Sequence, residues 1–354
     1  MSTNKSIGYY PAYCLLLIFV CLYLSALPGL GQVIESKFKH PVYPQPDIYV
    51  ITNRQADTSE VKFSFTNQVD SDPSLTFMRV NVSSSDSIRL TRLDSTVFVN
   101  EITGIKNQNW LLFIHGDSKT FEEAVLRGLN IQNMHKVRVI VFAWPSKKLK
   151  INGLKNLRTS YENVKKSSHH FHSVLKTMVG LRNSPTNFLH QKHLSVFLHS
   201  LGNNYLEDMV NSDFQLDASP LLFDNVILNA AAVEMENHSK WVEGLQFQNN
   251  IFINSNKRDL TLWALRFFTW HGIQLGQKAK LPLARNAVYF NFTKSVGCRI
   301  DPRTTHTYFF GKLMDKKENL RLLYYELMHG LQPNLEDKTR FAKRRKSLGE
   351  IIVK

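Results

Sequence analysis

Ser200 stands in Ser195-Val196-Phe197-Leu198-His199-Ser200-Leu201-Gly202-Asn203-Asn204, an apolar run broken by a His-Ser-x-Gly turn. The pattern reads as a buried strand that turns sharply into a helix and leaves one hydroxyl at the corner, as in a nucleophile elbow. A serine hydroxyl is a weak nucleophile. It needs an imidazole to take its proton and a carboxylate to orient that imidazole. Asp259 and then His306 follow in the chain, and Ser…Asp…His is the order that places such a trio on an open α/β sheet. Asp259 closes a strand pattern and opens a helical one. His306 lies in the polar loop Asp301-Pro302-Arg303-Thr304-Thr305-His306-Thr307-Tyr308. Glu234, at the end of the preceding strand, is the alternative acid. The amides of Leu201 and of the Gly116–Asp117 turn are candidate oxyanion donors.

The remaining histidines read differently. His199 adjoins Ser200, but neighbouring side chains at a turn point apart, so it reads as packing or a structural hydrogen bond. His169, His170 and His172 fall on a helix expected to be exposed. No His/Cys/Asp/Glu group has metal-ligand spacing, and acyl transfer by a serine requires no cofactor.

The elements that would position these residues alternate strand and helix from Asn109 onward, the signature of a parallel sheet with crossover helices. Trp110–Ile114, Val137–Phe142, Ser195–His199, Asn225–Asn229, Asn250–Asn254 and Asn286–Phe290 read as short apolar strands. Thr120–Asn130, Ser160–Val179 and Glu318–Met328 carry helical spacing, the second as one long helix. The fold expected is α/β, mostly parallel with helices on both faces. Residues 32–105 are richer in strands: Ile48–Thr52, Val61–Phe65 and Phe77–Val82, between Asp- and Ser-rich turns and after the extended Pro41–Pro46 run. They read as an N-terminal extension to a catalytic domain over 106–335, with a basic C-terminal tail over 336–354.

At the N-terminus, Cys14–Leu24 is uninterrupted apolar sequence behind Lys5, followed by Pro28, Gly29 and Gly31. The run is shorter than the roughly 20 residues that span a bilayer, so residues 1–31 read as a secretory signal, with an uncleaved anchor as the alternative. Cleavage would leave Cys298 alone of the three cysteines, excluding an internal disulfide. Export would also make Asn81, Asn237 and Asn291 formal glycosylation acceptors. The formal charge of +15 concentrates at Lys147–Arg158 and Lys338–Lys346. These runs read as solvated faces, or as attraction to an anionic membrane surface or acidic substrate. Without interleaved aromatics they do not point to nucleic acid.

Phe113-Ile114-His115-Gly116 with Phe121-Glu122-Glu123-Ala124, then Phe142-Ala143-Trp144-Pro145-Ser146, then His199-Ser200-Leu201-Gly202-Asn203 resembles a bacterial α/β-hydrolase family of uncharacterised function. That family carries a V-H-G-Y-N, F-x-W-P-S and A-H-S-M-G-N series. Tyr49–Arg54, Asn163, Ser167, Ser255–Asp259 and Thr305–Phe309 are similar to its remaining blocks, so the resemblance spans roughly residues 48 to 320. It implies the α/β-hydrolase fold and places the acid and histidine loops on Asp259 and His306. Three positions depart from it. Asp117 stands beside the expected oxyanion hole, Leu198 replaces a small residue two places before the serine, and Ala230-Ala231-Ala232-Val233-Glu234 retains one acid of an A-P-D-V-D-like strand end. The reading expected is an exported serine hydrolase acting on a small-molecule or lipid-like acyl substrate through an ester, thioester or related bond. The alternative is a catalytically silent α/β-hydrolase fold that binds or scaffolds in the cell envelope.

Overall fold

The computed structural model describes residues 33–36, 47–57, 64–84, 87–147, 153–184, 192–212, 214, 216, 221–269, 272–297, 301–343 and 349–354. The leader expected over 1–31, the Pro41–Pro46 run, Lys148, Lys150, Cys298 and Arg344–Lys346 lie outside the described residues.

The strands are β1 (Val33–Ser36), β2 (Asp47–Thr52), β3 (Arg54–Asp57), β4 (Ser64–Val69), β5 (Thr76–Ser84), β6 (Ser87–Leu93), β7 (Trp110–Ile114) and β8 (Arg138–Phe142). They continue with β9 (Leu194–His199), β10 (Phe223–Asn229), β11 (Gln248–Ser255), β12 (Ala287–Asn291), β13 (Phe341–Lys343) and β14 (Ile351–Val353). Twelve form one sheet in the order β1-β6-β5-β2-β8-β7-β9-β10-β11-β12-β14-β13, and β3 pairs with β4 separately. From β2 to β14 every neighbouring pair is parallel. Such strands are covered on both faces, which is why β7, β9 and β10 are buried along their whole length rather than at alternate positions.

The helices used below are α1 (Ser95–Gly104), α2 (Phe121–His135), α3 (Gly153–Lys166), α4 (Ser168–Arg182), α5 (Asn204–Asn211), α6 (Leu260–Thr269), α7 (Pro302–His306) and α8 (Glu318–Met328). One core packs α2, α6 and α8 against one sheet face, through Ala124, Leu129, Leu262, Leu320 and Leu323. The other packs α1, α4 and α5 against the opposite face, through Phe98, Phe171, Leu175, Tyr205 and Met209. The register Ile114↔Leu198 and Leu198↔Leu228 levels the carboxyl ends of β7, β9 and β10. Gly116, Ser200 and Ala230 therefore leave the sheet at one edge, where open α/β sheets place their ligands.

Several elements differ from the sequence reading. The strand-rich N-terminal extension is present, and its strands β1, β2, β5 and β6 join the main sheet. β2 lies inside it, pairing parallel with β8 from Tyr49↔Ile140 to Ile51↔Phe142, because Ile48–Ile51 is buried throughout and needs cover on both faces. The basic C-terminal segment likewise returns to the sheet: Phe341, Ile351 and Val353 are core residues, and β14 docks parallel on β12. The long helix expected over 160–179 is two helices broken at Ser167, whose backbone (φ −106°, ψ 16°) is non-helical. Its hydroxyl bonds back to the carbonyl of Asn163 and also meets the Tyr205 hydroxyl at 2.8 Å. His170 is buried rather than exposed, with Nε2 at 3.0 Å from the Asp72 carbonyl oxygen, whereas His169 is exposed and His172 stacks on Phe214.

Candidate active site

β9 delivers Ser200 to a turn that only a sharp backbone reversal allows. Ser200 has φ +55°, the left-handed region that a β-substituted residue rarely occupies. The turn continues through a short 3₁₀ segment, Ser200–Asn203, into α5. Asn203 fixes it by donating from Nδ2 to the carbonyls of Leu198 and Ser200 at 3.2 and 2.8 Å. Gly202 is required where the turn crosses the end of β7: a Cβ there would lie 2.8 Å from the His115 carbonyl oxygen. Leu198 fits without a small residue because it points into the core shared with α1, α4 and α5.

Asp259 and His306 arrive from separate loops. Asp259 follows β11 and heads α6, where Oδ1 accepts from the Leu262 amide at 3.0 Å. Its other oxygen, Oδ2, meets His306 Nδ1 at 2.7 Å, and the carboxylate is wholly buried. Asn256 ties the two loops by donating to the Thr305 carbonyl at 2.9 Å. The His306 ring lies 4.7 Å, centroid to centroid, from the ring of His199, the residue immediately before Ser200. The fold thus gathers the Ser200 turn, the His306 imidazole and the Asp259 carboxylate at one corner of the sheet. Glu234 is exposed and bridges through its backbone to Gln274, while Asp259 occupies Nδ1 of His306. The field of Glu234, after burial itself, helps push Glu207 on α5 up to about 7.

The Gly116–Lys119 loop closes the other side. Gly116 abuts Ser200, while Ser118 (φ +60°) turns the chain so that its amide donates to the Ser146 carbonyl at 2.9 Å and the Lys119 amide to Ser146 Oγ at 3.0 Å. The Asp117 side chain is turned to α3. Its Oδ1 accepts from Asn156 Nδ2 at 2.9 Å and Ser160 Oγ at 2.5 Å, and Oδ2 from Ser118 Oγ at 3.0 Å. Burial raises its pKa against the lowering effect of these donors. His115 stacks on Trp144 with ring planes 5° apart, and the indole N–H donates to the His115 carbonyl at 2.8 Å. Burial first, then the Arg54 charge, holds His115 well below the usual imidazole range.

The resemblance marks Arg54, Asn163 and Ser167, but two structural roles were not legible in the sequence. Arg54 is buried, pairs with no carboxylate among the described residues, and donates to the carbonyls of Ala143 (3.2 Å), Lys119 (2.8 Å) and Trp144 (2.7 Å). One side chain therefore clamps the loops after β7 and β8 together. Asn156, Ser160, Asn163 and Ser167 form a buried polar stripe along the side of α3 and its end, and the first three hold Ser146, Asp117 and Pro145. Their i, i+4, i+7, i+11 spacing is visible in the sequence, but polar residues at helical spacing ordinarily mark the solvent side.

This strand–turn–helix geometry is that of an α/β hydrolase, and a family model described as DUF900, alpha/beta hydrolase of unknown function, matches residues 92–279. The chain belongs to that family. The match takes in Gly116, Ser200 and Asp259 and stops before the His306 loop. No curated protein matches the sequence. Among the described residues of this DUF900 member, no group of three His, Cys, Asp or Glu side chains is arranged to hold a metal ion. No helix of these residues is long and apolar enough to cross a membrane.

Proposed function

We propose that this protein is a serine hydrolase acting on an ester, thioester or related acyl bond, with Ser200 as nucleophile, His306 as base and Asp259 as its orienting acid. The observation that carries the reading is the 2.7 Å contact from Asp259 to His306 Nδ1, with the imidazole packed beside the strained Ser200 turn. A carboxylate on Nδ1 fixes the tautomer that leaves the Nε2 lone pair for the serine proton. Ser200 Oγ then attacks the acyl carbon as its proton moves to Nε2. The Leu201 and Asp117 amides donate to the resulting oxyanion, since the Ser118 and Lys119 amides are already bound to Ser146. Collapse expels the alcohol or thiol with the proton from Nε2, and water repeats the sequence on the acyl-serine. No cofactor enters these steps.

The test is labelling with a fluorophosphonate probe. Labelling of the wild type that vanishes in both Ser200→Ala and His306→Ala is the result expected. A folded wild type that neither labels nor turns over an ester panel would overturn the reading in favour of a binding or scaffolding role. We also propose export, on the apolar run ending at Gly29–Gly31. An intact mass beginning near Gln32 supports a cleaved signal, and a retained leader makes it an anchor.

A further inference from the structure

His199 is in ring contact with two residues of the His306 loop. The His306 ring lies 4.7 Å from it, centroid to centroid, with the planes 47° apart, and the Phe309 ring meets it edge-on at 4.9 Å. That loop is anchored at Phe309, whose carbonyl accepts from His135 Nε2 at 2.7 Å. His199 itself closes β9, in register with Asn229 on β10, and is 4% exposed. The ring against His306 is therefore carried by the sheet rather than by a loop.

Packing alone does not ask for histidine here. An apolar side chain of similar outline would fill the space at less cost, because buried polar atoms without partners are expensive. The ring hydrogen-bonds to the Asn229 carbonyl, and among the described residues its Nδ1 has no partner. A carbonyl only accepts, so the ring proton sits on Nε2 and Nδ1 keeps its lone pair. The imidazole is uncharged: burial first, then the charges of His306, Arg127 and Lys119, hold it well below the usual range, against the effect of the Asn229 carbonyl.

Other titratable groups act at this corner. Asp259 sits on His306 Nδ1, and Tyr308, raised by burial first and then by the Asp259 charge, stays a phenol. Arg127 from α2 and Lys119 from the Gly116 loop bring positive charge that opposes a further cation. A histidine base has to become that cation. A neutral ring with an open lone pair beside it offsets the opposition, which an aliphatic side chain cannot do.

We propose that His199 is a positioning residue for the hydrolase site: its uncharged ring fixes the plane of His306 and favours the imidazolium that forms when Ser200 gives up its proton. The proton passes from Ser200 Oγ to His306 Nε2, and His199 exchanges none. The proposal rests on His306 being the base, and its test separates the two.

His199→Leu removes the ring nitrogens, and His199→Gln restores a neutral polar group. Rates on 4-nitrophenyl acetate as a function of pH should show kcat reduced about tenfold in the leucine variant, with KM little changed. The acid limb of its profile should move down by about one pH unit, since a tenfold loss of imidazolium stabilisation is about one unit of pKa. The glutamine variant should recover most of both effects, and His199→Met serves should the leucine variant not fold. Loss of kcat without movement of the limb, or leucine matching glutamine, reduces His199 to packing and overturns the proposal. Nitrogen-15 NMR titration of the Ser200→Ala protein reads the same displacement on the His306 ring without turnover, its signal being the one lost in His306→Asn. Wild-type probe labelling with limb and NMR titration both unmoved would remove the His199 role alone. A wild type that does not label, with the His306 titration still displaced by His199→Leu, would remove the hydrolase reading alone.

Discussion

Gly116 leaves no room for a side chain against Ser200: a Cβ on it would lie 2.7 Å from Ser200 Cβ and 3.3 Å from Oγ. The neighbour it would strike is the turn already held at positive φ, which cannot withdraw without moving β9 or the 3₁₀ segment. Gly116→Ala should therefore displace the loop whose amide is proposed as an oxyanion donor. Overpacking of this kind destabilises by about 1–3 kcal/mol, and loss of one oxyanion donor lowers turnover by about 10²–10³. Denaturant melts and the rate of probe labelling read the two effects, and a variant matching the wild type in both would refute the close-contact argument.

Asp259→Asn keeps the volume and the contact to α6 but favours the wrong imidazole tautomer. Turnover should fall by about 10⁴, the magnitude given by the equivalent change in a serine protease. Glu234→Gln, at an exposed carboxylate, should leave turnover nearly unchanged. Kinetics of both variants on one activated ester decide the matter, and the reverse ranking would move the acid to Glu234.

Acid should destabilise the fold through its buried imidazoles. Burial holds His115, His135 and His199 below the ordinary range, His135 at about 4. The unfolded chain takes up these protons as pH falls through about 6.5, whereas folded His135 does so only near 4. Their contribution is thus complete above about pH 6.5 and is lost on acidification below it, by up to about 1.4 kcal/mol per pH unit for each histidine. Denaturant titrations between pH 7.5 and 4.5 should show this slope. His135→Gln, which retains a donor for the Phe309 carbonyl, should reduce it by one proton, and an unchanged slope would exclude His135 as a contributor.

Asp117→Asn tests the carboxylate that departs from the family pattern. Its side chain faces α3, so probe labelling should change little. Its pKa is raised in the fold, so ionisation opposes folding and the associated stability declines as pH rises through the folded value. The asparagine variant carries no such term, and its stability relative to the wild type should improve from pH 4 to pH 7. A marked change in labelling would instead place the Asp117 charge at the reacting carbonyl.

The α/β class and the parallel strands around Ser200 were legible in the sequence because apolar runs buried on both faces, separated by helical spacing, have few other uses. The elbow was legible because a polar His-Ser-x-Gly break at the end of such a strand has a local cause. Chain order also singled out Asp259 and His306, but proximity is not a local property. They are 47 residues apart, and it took the docking of the Asn256 loop on Thr305 to bring their polar atoms to 2.7 Å. Tertiary structure also decided which way Asp117 points, since its partners Asn156 and Ser160 lie on a helix one crossover away. It placed β2 and β14 inside the sheet, where pairing with β8 and β12 satisfies backbone groups that neither strand could satisfy alone. Arg54 shows the same division: its sequence neighbours mark a strand end, while its role as a clamp exists only once the carbonyls of Ala143, Trp144 and Lys119 converge on it. Patterns of burial are written along the chain. Contacts between loops are set by the packing of the elements that carry them.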